Sequence, residues 1–135
     1  MATTSTVGPV DIAVSGLRAQ ALRLNIIATN IANSNTSRTA TGNPYRRQDV
    51  AIRATGDAGR SLVTARVVED TRTEFKRVLQ PGHPDADPNG YVSMPNVELP
   101  VEIMNMVTAT RAYQANAAVL KRYQDLVDTT LELLR

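Results

Sequence analysis

The 135-residue chain has no cysteine and no tryptophan, one phenylalanine (Phe75) and one histidine (His83). Without cysteine there are no disulfides and no thiolate metal sites. A single imidazole then leaves too few ligands for zinc, and no glycine-rich phosphate loop, serine elbow or HExxH pattern is present. The expectation is a protein that is not an enzyme and holds neither cofactor nor metal. The near-absence of large aromatics removes the usual anchors of a compact globule. Charge of one sign is also missing: 15 basic residues face 13 acidic ones, for a formal net charge of +2. Arg18 and Arg23, and later Arg46 and Arg47, make small basic patches and not a stripe that could track phosphates, so no nucleic acid is expected. No run approaches the ~18 apolar residues of a membrane span, and direct membrane insertion is not expected. Residues 1–9 are small and polar, with neither a basic n-region nor an apolar h-region, so no cleaved signal peptide is expected.

What the chain does have is a seven-residue rhythm at both ends. Ile103, Met106, Thr110, Tyr113, Ala117, Leu120, Gln124, Val127, Leu131 and Leu134 step by three and four without interruption. Near the other end Val10, Leu17, Leu24 and Ile31 fall seven apart, with Ala13 and Ile27, then Val14, Ala21 and Ala28, filling the adjoining positions. Apolar side chains at 3.5-residue spacing form a seam that meets another helix. Ala112, Ala115, Ala118 and Val119 widen the C-terminal apolar face beyond what one partner helix covers. Burying a Leu-sized side chain is worth about 1.5–3 kcal/mol, so the pattern favours burial between molecules over a solitary two-helix hairpin. Thr110 and Gln124 interrupt the seam, either to fix register or because they face a solvated gap.

The fold class predicted is mainly α with a small β region. A first helix is expected over residues 11–33, opened by Asp11 at its positive end and stopped by Asn33, Ser34 and Asn35. A strand is expected over 45–53 and its partner over 62–68, joined by a hairpin connection at Thr55, Gly56, Asp57, Ala58 and Gly59. Residues 75–79 are a third strand candidate, and Pro81, Pro84 and Pro88 are expected to hold the following stretch extended. A long helix starts between Asn96 and Pro100 and runs to the end. The domain division is then 1–36 and 96–135 as one helical unit, the two helices pairing as a coiled-coil-like bundle, with 37–95 as a small β and extended insertion. Asp85, Asp87, Asn89 and Gly90 match the opening of an EF-hand loop, but Asn96 stands where a bidentate Glu is needed and Pro88 stiffens the fourth position. A rigid turn built on Asx hydrogen bonds and Asn89-Gly90 is the preferred reading.

Ser15-Gly16-Leu17-Arg18-Ala19-Gln20, Arg23-Leu24-Asn25 and Asn30-Ile31-Ala32-Asn33-Ser34-Asn35-Thr36 resemble the N-terminal signature of the flagellar rod and hook proteins. Arg111-Ala112-Tyr113-Gln114-Ala115-Asn116 resembles the C-terminal element of the same family. Pro44-Tyr45-Arg46-Arg47-Gln48, the stretch from Pro81 to Asp87, Gly90-Tyr91-Val92 and Met94-Pro95-Asn96-Val97 are similar to a short proximal-rod member. Val10 stands where that family has an aromatic, and residues 36–43 lack its glycine-rich run.

The resemblance implies a structural subunit of the bacterial flagellar basal body, part of the drive shaft that joins the inner-membrane ring to the distal rod and hook. It implies export through the flagellar type III apparatus without a cleaved signal. The implied partners are copies of the chain, other rod proteins and the adaptor between rod and ring. The candidate subunit contacts are Leu17, Leu24, Asn30, Ile31, Asn33, Ile103, Met106, Arg111, Tyr113, Ala117, Leu120, Val127 and Leu131. For Asn25, Asn30 and Asn33 two readings stand: amides bridging subunits, or a solvated face and helix cap. A cytoplasmic helical adaptor or export chaperone is the alternative function, and a calcium-modulated module a third.

Overall fold

The structure, a computed structural model, describes residues 8–56 and 62–134. Its elements are, in order, α1 (Pro9–Ala32), β1 (Gln48–Thr55), β2 (Leu62–Glu69), β3 (Lys76–Leu79), β4 (Tyr91–Met94) and α2 (Leu99–Leu133). Helix α1 begins two residues earlier than the spacing predicts. Pro9 occupies the first helical position, where its missing N–H costs nothing. Asp11 sits in that first turn, and its carboxylate accepts the Gly8 N–H at 2.9 Å. The other end closes as expected of an Asn-Ser pair: the Asn33 backbone and side-chain amides both donate to the Thr29 carbonyl, and Ser34 returns to Ile31.

The two helices run antiparallel. Asn30 meets Glu102 at one end, and fourteen residues along both helices Gly16 meets Asn116. The buried stripe of α1 is Ala13, Gly16, Ala19, Ile27 and Asn30. On α2 only Glu102 and Ala109 are buried, flanked by half-buried Asn105, Ala112 and Asn116. These side chains are small or polar, which lets the helix axes approach. A Cβ on Gly16 would stand 3.0 Å from the Asn116 side-chain nitrogen, so glycine is what the contact requires.

Strands β1 and β2 form an antiparallel hairpin in the register Val50↔Val67 and Ile52↔Ala65. It packs on α1, where the Ser15 hydroxyl accepts the Val63 N–H at 3.0 Å. Of its connection, Asp57, Ala58 and Gly59 lie outside the described residues. Strand β3 pairs not with this sheet but with β4, antiparallel, as Lys76↔Met94 and Leu79↔Tyr91.

The stretch expected to stay extended through Pro81, Pro84 and Pro88 therefore folds back as a second hairpin. Positive φ at Gly82 (93°) and Gly90 (80°) turns the chain. Asp87 clamps the return by accepting the N–H groups of Asn89 and Tyr91, and these bonds hold its carboxyl below the usual range. The turn reading of this cluster is what the structure shows: Gly90 N–H bonds the Asp87 carbonyl and His83 Nδ1 accepts the Asp85 N–H.

The apolar core is thin. It consists of Ala13, Ala19, Ile27, Val50, Val92, Val97 and Ala109, among the described residues. Large apolar side chains lie mostly outside it, above all along α2.

Candidate subunit interface

A polar node sets the geometry of the molecule. Asn30, fully buried, uses its whole amide: Nδ2 donates to the Gln48 carbonyl (2.7 Å) and to Glu102 Oε2 (3.1 Å). Its Oδ1 accepts the Tyr45 hydroxyl (2.9 Å) and the Gln48 N–H (3.0 Å). Glu102, also fully buried, takes Arg47 Nε on Oε1 at 2.7 Å. Asn96 extends the node by accepting the Arg47 N–H and donating to the carbonyls of Asp70 and Thr73. Thus the end of α1, the start of α2, β1 and the segment before β3 are tied at one point.

Burial works against the Arg47 charge, but the hydrogen bond and charge of Glu102, aided by Asp49, outweigh it and raise the pKa. Tyr45 is also raised, by burial first and then by the Glu102 charge, so its phenol stays neutral and donates to Asn30. Asp70 is held low chiefly by the backbone and hydroxyl of Thr73.

Among the described residues, the opposite end of the helix pair has no such lock. By the register of Gly16 with Asn116, Pro9 lies opposite Tyr123, so about 15 Å of α2 extends past the start of α1. Every described residue from Lys121 onward is exposed, including Leu126, Val127, Leu131 and Leu133. On the other half of α2, Ile103, Met104 and Val107 point away from α1 at 53%, 71% and 48% exposure. Open apolar runs of this length mark candidate contact surfaces.

Residues 11–38 match the family model described as flagella basal body rod protein, and residues 89–133 match flagellar basal body rod FlgEFG protein C-terminal. The chain is 43% identical over 126 residues to the flagellar basal-body rod protein FlgC of Salmonella typhimurium, covering 91% of this chain and 93% of that one. It is 40% identical to FlgC of Agrobacterium fabrum over 92% of this chain and 91% of the relative. FlgC of Bacillus subtilis is 29% identical over 92% and 95%. The chain belongs to the FlgC family of flagellar basal-body rod proteins. Asn30 lies in the first of the two matched segments and Glu102 in the second.

The candidate contact residues fall into three groups in this FlgC-family fold. Ile103, Arg111, Tyr113, Val127 and Leu131 are exposed on α2. Leu17, Leu24, Ile31, Met106, Ala117 and Leu120 are half-buried along the flanks of the helix pair. Asn30 and Asn33 are engaged within the chain. The Asn30 amide bonds Gln48, Glu102 and Tyr45 and has no capacity left to bridge subunits, and Asn33 caps α1.

The stripe that α1 covers on α2 runs one residue to the side of the heptad seam, at Glu102, Asn105, Ala109, Ala112 and Asn116. Sequence reasoning passed over Glu102, Arg47, Asn96 and Gly16. The one available hint was a lone acid among Val101, Ile103 and Met104, since a carboxylate that is buried needs a charged or hydrogen-bonding partner.

Proposed function

We propose that the protein is a structural, non-catalytic subunit of the flagellar basal-body rod, seated in its proximal part, where it transmits torque. In this reading residues 1–36 and 96–135 act as one helical unit whose outer faces pack against copies of the chain, other rod proteins and the adaptor to the ring. The helices then join a coiled-coil-like wall, with 37–95 carried beside it. The chain reaches that position through the flagellar type III apparatus without a cleaved signal.

The observation that carries the proposal is the open apolar length of α2 in a chain that matches FlgC relatives over nearly their whole length. A helix of ~50 Å can touch several neighbours along a tube. The subunit contacts are Leu17, Leu24, Ile31, Ile103, Met106, Arg111, Tyr113, Ala117, Leu120, Val127 and Leu131. The test is complementation of a strain lacking the gene. Leu120→Asp and Val127→Asp are expected to abolish swimming and to leave the chain out of isolated basal bodies. Full motility with either variant sinks the seam. The adaptor or chaperone alternative is not favoured, since the relatives are named for the rod; it would require a stable dimer retained in the cytoplasm.

A further inference from the structure

The outer edge of β2 is left open by the fold. The Asp70 N–H donates to the Arg47 carbonyl, and in the β1–β2 register this turns the main-chain groups of residues 62, 64, 66 and 68 toward β1. Those of Val63, Ala65 and Val67 point the other way. The Ser15 hydroxyl takes the Val63 N–H. Among the described residues, the N–H and C=O groups of Ala65 and Val67 have no partner. A groove of about 600 Å³ runs along this edge, with Val14, Ala19 and Leu22 of α1 on one wall and Val63 and Ala65 on the other. Val67 lies just past it and is exposed.

Three arginines border the site. Arg18 stands on the helical wall of the groove. Arg66 lies on the outer face of β2 between Ala65 and Val67, and Arg53 pairs with Thr64 on that same face. All three are exposed, and among the described residues none has an ion pair. The acids nearby are turned elsewhere. Asp11, at the far end of the groove beyond Ser15, accepts the Gly8 N–H. Asp49 holds Arg47 and the Val50 N–H. Glu69 projects from the face opposite Arg66 and bounds the edge.

We infer that this edge receives an extended segment of another protein, one in which acidic and apolar residues alternate, as a third strand on β2. Main-chain pairing uses the open groups of Ala65 and Val67. The alternation follows from the pleat. Residues on the inner face of an added strand lie beside Val67 and Leu22, where apolar side chains fit. Their neighbours on the outer face meet Arg66, with Arg53 behind it and Arg18 at the rim, and carboxylates pair with guanidinium groups there. A basic segment would set like charges side by side. Open edges are ordinarily blocked by charge or proline. Here the charges beside Ala65 and Val67 on the outer face are of one sign, which selects a partner instead of excluding all of them. The site is separate from the open length of α2, and it does not depend on the rod-subunit reading.

The test uses the full chain and two synthetic peptides blocked at both ends, Glu-Val-Glu-Val-Glu-Val and Lys-Val-Lys-Val-Lys-Val. Backbone hydrogen exchange is followed during titration with each. The acidic peptide is expected to bind and to slow exchange at Ala65 and Val67; the basic one is expected to do neither. Arg66→Glu is expected to weaken the acidic peptide by about tenfold, one charge pair lost, and to admit the basic one. That gain also shows the variant to be folded. Val67→Pro removes an edge N–H without touching a charge, at a position where an edge strand tolerates proline. It is expected to lose the acidic peptide while keeping the circular dichroism of the parent; should the spectrum change, the decision falls to Arg66→Glu.

An acidic peptide that does not bind, or two peptides that bind alike, overturns the inference. So does binding that leaves exchange at Ala65 and Val67 unchanged, since the arginines alone would then be adsorbing it. Exchange at those amides that slows in the chain alone as its concentration rises makes a second copy the occupant and overturns the choice of partner. Whether the chain belongs to the rod is read separately, from its presence in purified basal bodies.

Discussion

At the Asn30–Glu102 end of the helix pair, a buried carboxylate and a buried amide are fully engaged by partners from four segments. At the Tyr123–Leu134 end every residue is exposed, apolar and acidic side chains alike, and among the described residues no ion pair or side-chain hydrogen bond ties it to another element. The two ends divide the work. A buried polar node adds little net stability over a well-packed apolar one, but it tolerates few alternative geometries. It therefore fixes how the hairpins sit on the helices. The bare end does the reverse: it accepts whatever apolar surface meets it, and gains from doing so only when a neighbour arrives. One end specifies the subunit; on the function proposed above, the other is completed by a neighbour.

The largest effect expected from breaking this contrast is at Glu102. Replacing it by Leu strands Arg47, whose side chain is only 17% exposed, and takes an acceptor from Asn30. A loss of about 3–5 kcal/mol is expected, the usual cost of removing one partner of a buried pair. Urea unfolding of the purified chain measures it. A loss below ~0.5 kcal/mol would mean that the node is not what holds this end. Glu102→Gln keeps the shape and one acceptor and is expected to lose less.

The middle of the helix pair comes next. At Gly16 a valine places branched carbons against Asn116, whose side-chain atoms already lie 3.0–3.2 Å from a built Cβ. The helices must part, at a cost of about 1–3 kcal/mol. Asn116→Ala in the same chain is expected to return part of that loss, which a purely local strain at residue 16 would not allow. Calorimetric melting of the single and double variants decides between them.

Why one end was legible in the sequence and the other was not follows from the kind of interaction each uses. Helices α1 and α2 and strands β1 to β3 announce themselves by period, by Asp11 and Asn33, and by alternation, all local signals. Part of the open apolar length of α2, at Ile103, Tyr113, Val127 and Leu131, is likewise written in the spacing, although Met104, Val107, Leu126 and Leu133 lie off that seam. The node is not. Arg47 and Glu102 are 55 residues apart in the chain and Asn30 and Glu102 are 72 apart. No periodicity links them, and an arginine pair at 46–47 looks the same whether it faces water or a buried carboxylate. The second hairpin was legible only in part: Asn89-Gly90 signalled the reversal, but three prolines and an eleven-residue connection mask β4 and its pairing with β3.

Titration sharpens the same comparison, because the groups whose shifts accompany burial gather at the node. The folded pKa of Tyr45 lies above its ordinary value of 10.0, so the fold prefers the neutral phenol. That preference is fully present below pH 10 and is lost as pH rises through the folded value. Tyr45→Phe removes the hydrogen bond to Asn30, at about 0.5–1.5 kcal/mol near neutral pH, and flattens the alkaline fall in stability. On the acid side Asp70 is depressed below the ordinary carboxyl value of 3.8. Its contribution is present above pH 3.8 and is lost as pH falls through the folded value; being an exposed group it counts for little. Melting temperatures of the parent and of Tyr45→Phe from pH 8 to 11 are the measurement. Parallel curves for the two proteins would show that Tyr45 does not titrate with folding.

The smallest effect on the fold is expected where the effect on assembly is greatest. Leu131 is 59% exposed at the bare end, one of the more open apolar side chains of α2. Leu131→Asp should change the stability of the free chain by no more than about 0.5 kcal/mol, as surface substitutions do, while excluding the chain from isolated basal bodies. The pairing of these two readings is what gives the experiment its force. A variant that fails to assemble because it fails to fold says nothing about the surface. Glu102→Leu is the control of that kind, expected to lose both. If Leu131→Asp lowered the stability of the free chain as Glu102→Leu does, the last turns of α2 would already be covered within one molecule. The contrast between a closed end and an open one would then disappear.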